Sequence, residues 1–132
     1  MRKVFVYGDS ISMQYGYPLE KLLSDMGTSY DRLGGGNSCD LADVRWNGST
    51  TTKMLTWLHG ITKQQDTILV FNCGLHDIVH AAISEPCKVN IEEYRKNMDE
   101  ICEIACRIFD EVVFCNSTPV DDKRHNKSEE YL

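Results

Sequence analysis

Val4-Phe5-Val6-Tyr7-Gly8-Asp9-Ser10-Ile11 joins a short apolar run to a polar turn. Four apolar residues in a row, too few for a helix, read as a strand buried on both faces, which is the habit of parallel sheets. The Gly8-Asp9 turn that follows places Ser10 at the carboxyl end of that strand. Open α/β sheets put ligands and chemistry at that end. Ser10 is therefore the first candidate nucleophile.

Downstream the pattern alternates. Pro18 suits the first position of a helix that carries Leu19, Leu22, Leu23 and Met26 on one face and stops at Gly27. A short strand is expected over Ser29 to Leu33, followed by a Gly34-Gly35-Gly36-Asn37-Ser38 loop. Ser49 or Thr50 can cap a second helix bearing Met54, Leu55, Leu58 and Ile61, with Gly60 near its end. Thr67 to Phe71 is β-rich. Asn90 with Glu93 resembles a capping box ahead of Ile91, Tyr94, Met98, Ile101, Ala105 and Ile108. Those apolar residues recur every three or four positions, the period of an amphipathic helix. Glu111 to Asn116 completes a β-α-β-α-β-α-β order, and Asp121 to Leu132 is polar. The expected architecture is one domain over residues 1–132, a three-layer α/β/α sandwich on a parallel, flavodoxin-like sheet.

The composition is that of a globular protein, with 42% hydrophobic and 26% charged residues among 132. A chain of this size buries roughly two-thirds of its unfolded surface. The net charge of −6 argues against nucleic acid and anionic membranes as partners, since both reward clustered Lys and Arg. No apolar stretch reaches the roughly 18 residues of a membrane span. The four-residue apolar run behind Met1-Arg2-Lys3 is too short for a signal peptide. A cytoplasmic location is the expectation, a lost leader being the other possibility. The six cysteines, at 39, 73, 87, 102, 106 and 115, are then reduced thiols. Cys73 and Cys115 are expected at the ends of buried strands, and Cys102 with Cys106 on one helix face.

Three strand-following loops carry polar residues: Gly8-Asp9-Ser10, Asn72 to Asp77, and Asn116-Ser117-Thr118-Pro119. A parallel sheet gathers them at one edge, the arrangement a serine hydrolase uses to bring a nucleophile to oxyanion donors. Gly8-Asp9-Ser10-Ile11 resembles the first block of the GDSL/SGNH hydrolases, lipases and esterases on a flavodoxin-like sheet. Gly74-Leu75-His76-Asp77 resembles that family's Gly-x-Asn-Asp block. Phe71 to Asp77 as a whole is similar to a branch in which His takes the Asn position. Asn47-Gly48-Ser49-Thr50 resembles the glycine-bearing second block.

The resemblance implies Ser10 as nucleophile, with Ser10 N–H, Gly48 N–H and His76 as oxyanion donors and Asp9 and Asp77 in support. It implies ester hydrolysis of small acyl or acetyl esters, including those of carbohydrates, with no cofactor. The family's final Asp-x-x-His block supplies the base and its orienter and normally follows a fifth strand. Asp122-Lys123-Arg124-His125 matches it literally, but in a polar stretch with no strand before it. Either Asp122 and His125 form the dyad, or the chain is truncated before the block. Truncation would leave an exposed sheet edge prone to self-association.

Other readings stand beside this one. The chain could be an inactive fragment or pseudoenzyme that binds an ester or glycan, or a flavodoxin-like phosphate or nucleotide binder. The triple glycine lacks the Gly-Lys-Ser/Thr ending and the Gly-x-Gly-x-x-Gly spacing of phosphate loops. Cys73, His76 and His80 have a metal-like spacing without a second ligand pair, so no metal is expected. Trp46 and Trp57 could line an acyl or sugar pocket, packing being the default for Trp57.

Overall fold

The computed structural model describes residues 2–41, 43–80, 85–117 and 119. Four strands, β1 (Lys3–Tyr7), β2 (Ser29–Arg32), β3 (Thr67–Phe71) and β4 (Glu111–Phe114), alternate with three helices. The helices are α1 (Ser10–Asp25), α2 (Thr51–His59) and α3 (Ile91–Ile108). All the strand pairs are parallel, in the order β2-β1-β3-β4. This α/β arrangement is compatible with a flavodoxin-like fold.

The order explains where the layers fall. The chain leaves β1 toward β2, then returns past β1 to β3 and continues to β4. Right-handed crossovers in opposite directions put their helices on opposite faces, α1 on one and α2 with α3 on the other. The side chains agree. Phe5 and Tyr7 of β1, and Leu69 and Phe71 of β3, turn to the side on which Met54, Leu58, Ile101, Ala105 and Ile108 pack. Trp57 stacks on Phe5 at 5.4 Å and meets Tyr7 at 4.8 Å, so it is a packing residue. Val4 and Val6, also buried, alternate to the α1 side.

Helix α1 departs from expectation. It starts at Ser10, eight residues before Pro18, which lies within the helix. Asp9 is its N-cap, the carboxylate accepting from the Ile11 N–H at 3.0 Å. A cap of this strength nucleates the helix directly after β1, and Pro18 is accommodated at an exposed position. Only part of the expected apolar face is covered, with Leu19 and Leu23 half-buried. Ser12, Met13 and Gly16 are buried, whereas Leu22 and Met26 are 62% and 76% exposed. The expected burial at Cys115 also fails. β4 is the outer strand, paired only with β3 among the described residues, and Cys115 beyond its end is exposed. Cys102 and Cys106 are exposed on α3. No helix among the described residues is long and apolar enough to cross a membrane.

These placements separate two leucines that look alike in the sequence. Leu69→Ala, at a fully buried site in β3, is expected to cost about 2–5 kcal/mol. Leu22→Ala on the exposed side of α1 is expected to stay within about 0.5 kcal/mol. Urea unfolding of both variants measures the difference.

Candidate active site

The chain reverses its direction across the sheet between β1 and β3. The crevice outside the carboxyl ends of two such strands is where open α/β sheets bind ligands. The Gly8-Asp9-Ser10 turn leaves β1 there, and the Asn72–Asp77 turn leaves β3 beside it, held by the Asn72 N–H donating to the Tyr7 carbonyl at 3.1 Å. Gly8 has no room for a side chain. A Cβ there would lie 2.2 Å from Asn72 Oδ1 and 2.7 Å from Ser12 Oγ. The Ser12 hydroxyl donates back to the Asp9 carbonyl at 2.6 Å, tightening the first turn of α1.

Ser10 is thus the first residue of α1, half-buried, where the helix dipole favours developing negative charge. Neither its hydroxyl nor its N–H has a hydrogen-bond partner among the described residues. Ser10 and His76 line one cleft of about 630 Å³, whose other walls are Leu41, Val44, Asn47, Ser49 and Lys53. The His76 imidazole also makes no hydrogen bond among the described residues.

Gly48 does not offer the donor that the resemblance implies. Its N–H donates to the Gly8 carbonyl at 2.7 Å, and its carbonyl accepts from the Tyr7 hydroxyl at 2.8 Å. A Cβ at Gly48 would sit 2.5 Å from Tyr7 Cε1. The glycine therefore lets the second loop lie directly on the end of β1, and the contact consumes its N–H. Neighbouring Ser49 takes a left-handed φ of 54°, with its N–H donating to Asn47 Oδ1 at 2.9 Å.

Two cations fix this loop from either side. The Arg32 guanidinium, 1% exposed, donates through Nη2 to the Trp46 carbonyl at 2.6 Å and Ser12 Oγ at 3.3 Å. Its Nε reaches the Leu33 carbonyl at 3.1 Å. Lys53 Nζ donates to the carbonyls of Val44 at 2.7 Å and Asn47 at 2.6 Å. Partial burial lowers the Lys53 pKa. Trp46 turns its Nε1–H to the carbonyls of Gly35 and Gly36, so it braces the triple-glycine loop.

Asp77 is the buried anchor of the His76 turn. Its carboxylate is 1% exposed and accepts from the Thr51 N–H at 2.8 Å and from the Thr51 hydroxyl. Thr51 opens α2, so Asp77 places a negative charge on that helix's N-terminus. Thr51 Oγ1 in turn accepts from Asn97 Nδ2 at 2.9 Å. The relay from α3 to α2 to the β3 turn fixes the backbone on either side of His76. Sequence reading missed Arg32, Lys53, Thr51 and Asn97. Asn97 alone left a trace, as a polar residue lodged between Tyr94 and Ile101 in the α3 repeat.

Cys73, His76 and His80 do not converge on a metal. The Cys73 thiol is buried against Met98 Sδ at 3.9 Å, and His80 pairs with Cys87. Burial, then the nearby Asp77 and Asp9 charges, push the Cys73 thiol up to about 12. Asp122 and His125 lie outside the described residues.

Thr51→Val removes the hydroxyl bond to a buried carboxylate while keeping the side chain's shape. It is expected to cost about 1.5–3 kcal/mol, as hydrogen bonds to charged groups do, with Thr62→Val at an exposed position beyond α2 near zero; chemical denaturation reads both. Comparison with protein-family models, curated proteins and solved structures returned no match.

Proposed function

We propose that the chain is a serine esterase of the GDSL/SGNH type, acting on small acyl esters such as acetyl esters, including those of carbohydrates. The observation that carries this reading is the shared cleft. Ser10, with a hydroxyl committed to no other group among the described residues, opens α1 at the sheet's switch point and shares its cavity with His76. Ser10 Oγ attacks the acyl carbonyl, and the helix N-terminus with Ser10 N–H receives the developing oxyanion. His76 supplies the side-chain donor. A neutral imidazole donates from one nitrogen only, so its tautomer decides whether it can serve. The alcohol departs with a proton from the base, and water then releases the acid from Ser10. The base belongs to His125, oriented by Asp122, in the resemblance that motivates this assignment. The partner is a small ester, and no cofactor enters the reaction. Self-association belongs to the same reading, through the β4 edge where Val113 and Phe114 are exposed.

One observation favours a second reading, a binding protein for the same ligands. The Gly48 N–H is occupied by the Gly8 carbonyl, and no basic group meets Ser10 Oγ among the described residues.

Hydrolysis of an aryl acetate by the 132-residue chain separates the two. As an esterase, wild type exceeds background, and Ser10→Ala and His125→Ala both abolish turnover. His76→Ala lowers kcat by roughly 10²–10³, the loss seen when one oxyanion donor is removed. Wild type indistinguishable from Ser10→Ala, with binding retained, establishes the binder instead.

A further inference from the structure

A second cavity, of about 300 Å³, lies on the other side of the β3–α3 turn. The two cavities share that turn. His76 faces the Ser10 cleft, whereas Gly74, Leu75 and Asp77 border the second space together with Ile78, Val89 and Cys87. Its volume is at the low end of the roughly 300–1,000 Å³ of ligand pockets. Its walls are mainly aliphatic. Cys87, on its rim, is half-buried and takes no part in the serine chemistry.

The backbone aims a histidine at this thiol. Lys88 N–H donates to the Val79 carbonyl at 2.9 Å, and Val89 N–H to the Asp77 carbonyl at 3.0 Å. His80 and Cys87 are consequently opposed in an antiparallel bridge, which puts their side chains next to each other. His80 Nε2 lies 3.5 Å from Cys87 Sγ, and His80 Nδ1 lies 2.6 Å from the Glu85 carbonyl oxygen. A carbonyl only accepts, so Nδ1 carries the hydrogen. In the neutral ring the lone pair then sits on Nε2, facing the thiol. Nucleophile, base and an orienting acceptor stand in sequence, the relation that activates cysteine in acyl-transfer sites.

We propose that Cys87 is a nucleophilic thiol, activated by His80, that accepts an apolar acyl group from a thioester into the cavity beside it. The Sγ–acyl carbon bond forms as the donor's carbon–sulfur bond breaks. The Cys87 proton passes to His80 Nε2 and then to the departing thiolate. One thioester replaces another, so the exchange is close to thermoneutral and needs no further reactant. The acyl chain lies against Leu75, Ile78 and Val89.

The test is acylation of the full chain at neutral pH by the phenyl thioester of hexanoic acid, mapped by peptide mass spectrometry. Cys39, Cys102, Cys106 and Cys115 are all exposed and serve as internal references. Cys87 is expected to acylate at least about tenfold faster than any of them, a conservative share of what general bases contribute. His80→Ala and His80→Phe should bring it to or below the reference rate. In wild type, hexanoyl should outpace acetyl at Cys87 and not at the reference thiols. Acylation that follows exposure alone, an unchanged Cys87 rate in both His80 variants, or no chain-length preference at Cys87 each overturns the proposal. Because the modified residue is mapped, the result reads the same whether or not Ser10 hydrolyses esters.

Discussion

The buried Asp77 carboxylate is the constraint on which the site depends. A charge removed from water is tolerated only where its oxygens are hydrogen-bonded. Thr51 meets that requirement with both its N–H and its hydroxyl. Because Thr51 is the first residue of α2, satisfying the carboxylate also sets where α2 begins relative to β3. Asn97 then ties the pair to α3. The turn bearing His76 is thus held between two helices and a strand, and its neighbours on either side, Gly74 and Ile78, are free to shape the second cavity.

Close backbone approach is the other half of the arrangement. Gly8 admits Asn72 and Ser12 against the end of β1, and Gly48 lies on the Tyr7 ring and the Gly8 carbonyl. Both glycines are there for lack of a Cβ. The same contact explains why Gly48 cannot keep a spare donor. A loop pressed this close to a strand end must satisfy its polar groups on that strand, or leave them buried and unpaired. Arg32 completes the stitching by reaching from β2 to both α1 and the 46–49 loop.

The legible features of the sequence were those with local causes. The α3 helix followed from its apolar period and from Asn90, whose side chain accepts the Glu93 N–H as the capping pattern implies. The Thr67–Phe71 strand and the Thr50 cap were equally local. The start of α1 was misplaced because Pro18 is a strong signal for a helix's first turn, whereas Asp9 reads equally well as a turn residue or a cap. Only the position of β1 decides between them. That Ser10 and His76 come to one cleft was legible because each follows an apolar strand at the edge where a parallel sheet gathers its loops. Arg32 and Lys53 were not, because a charged residue in a short strand or a helix looks solvated until tertiary contacts enclose it. The pairing of His80 with Cys87 depends on a bridge between segments that no local pattern announces.

A nucleophilic Ser10 at the switch point of the sheet would react with an electrophile that mimics an acyl group. Treatment with a fluorophosphonate ester, followed by peptide mapping, tests this without requiring a particular substrate. Stoichiometric phosphonylation of Ser10 is expected, with Ser12, hydrogen-bonded to Asp9 and Arg32, left unmodified. A folded chain that remains unlabelled at Ser10 would contradict its role as nucleophile.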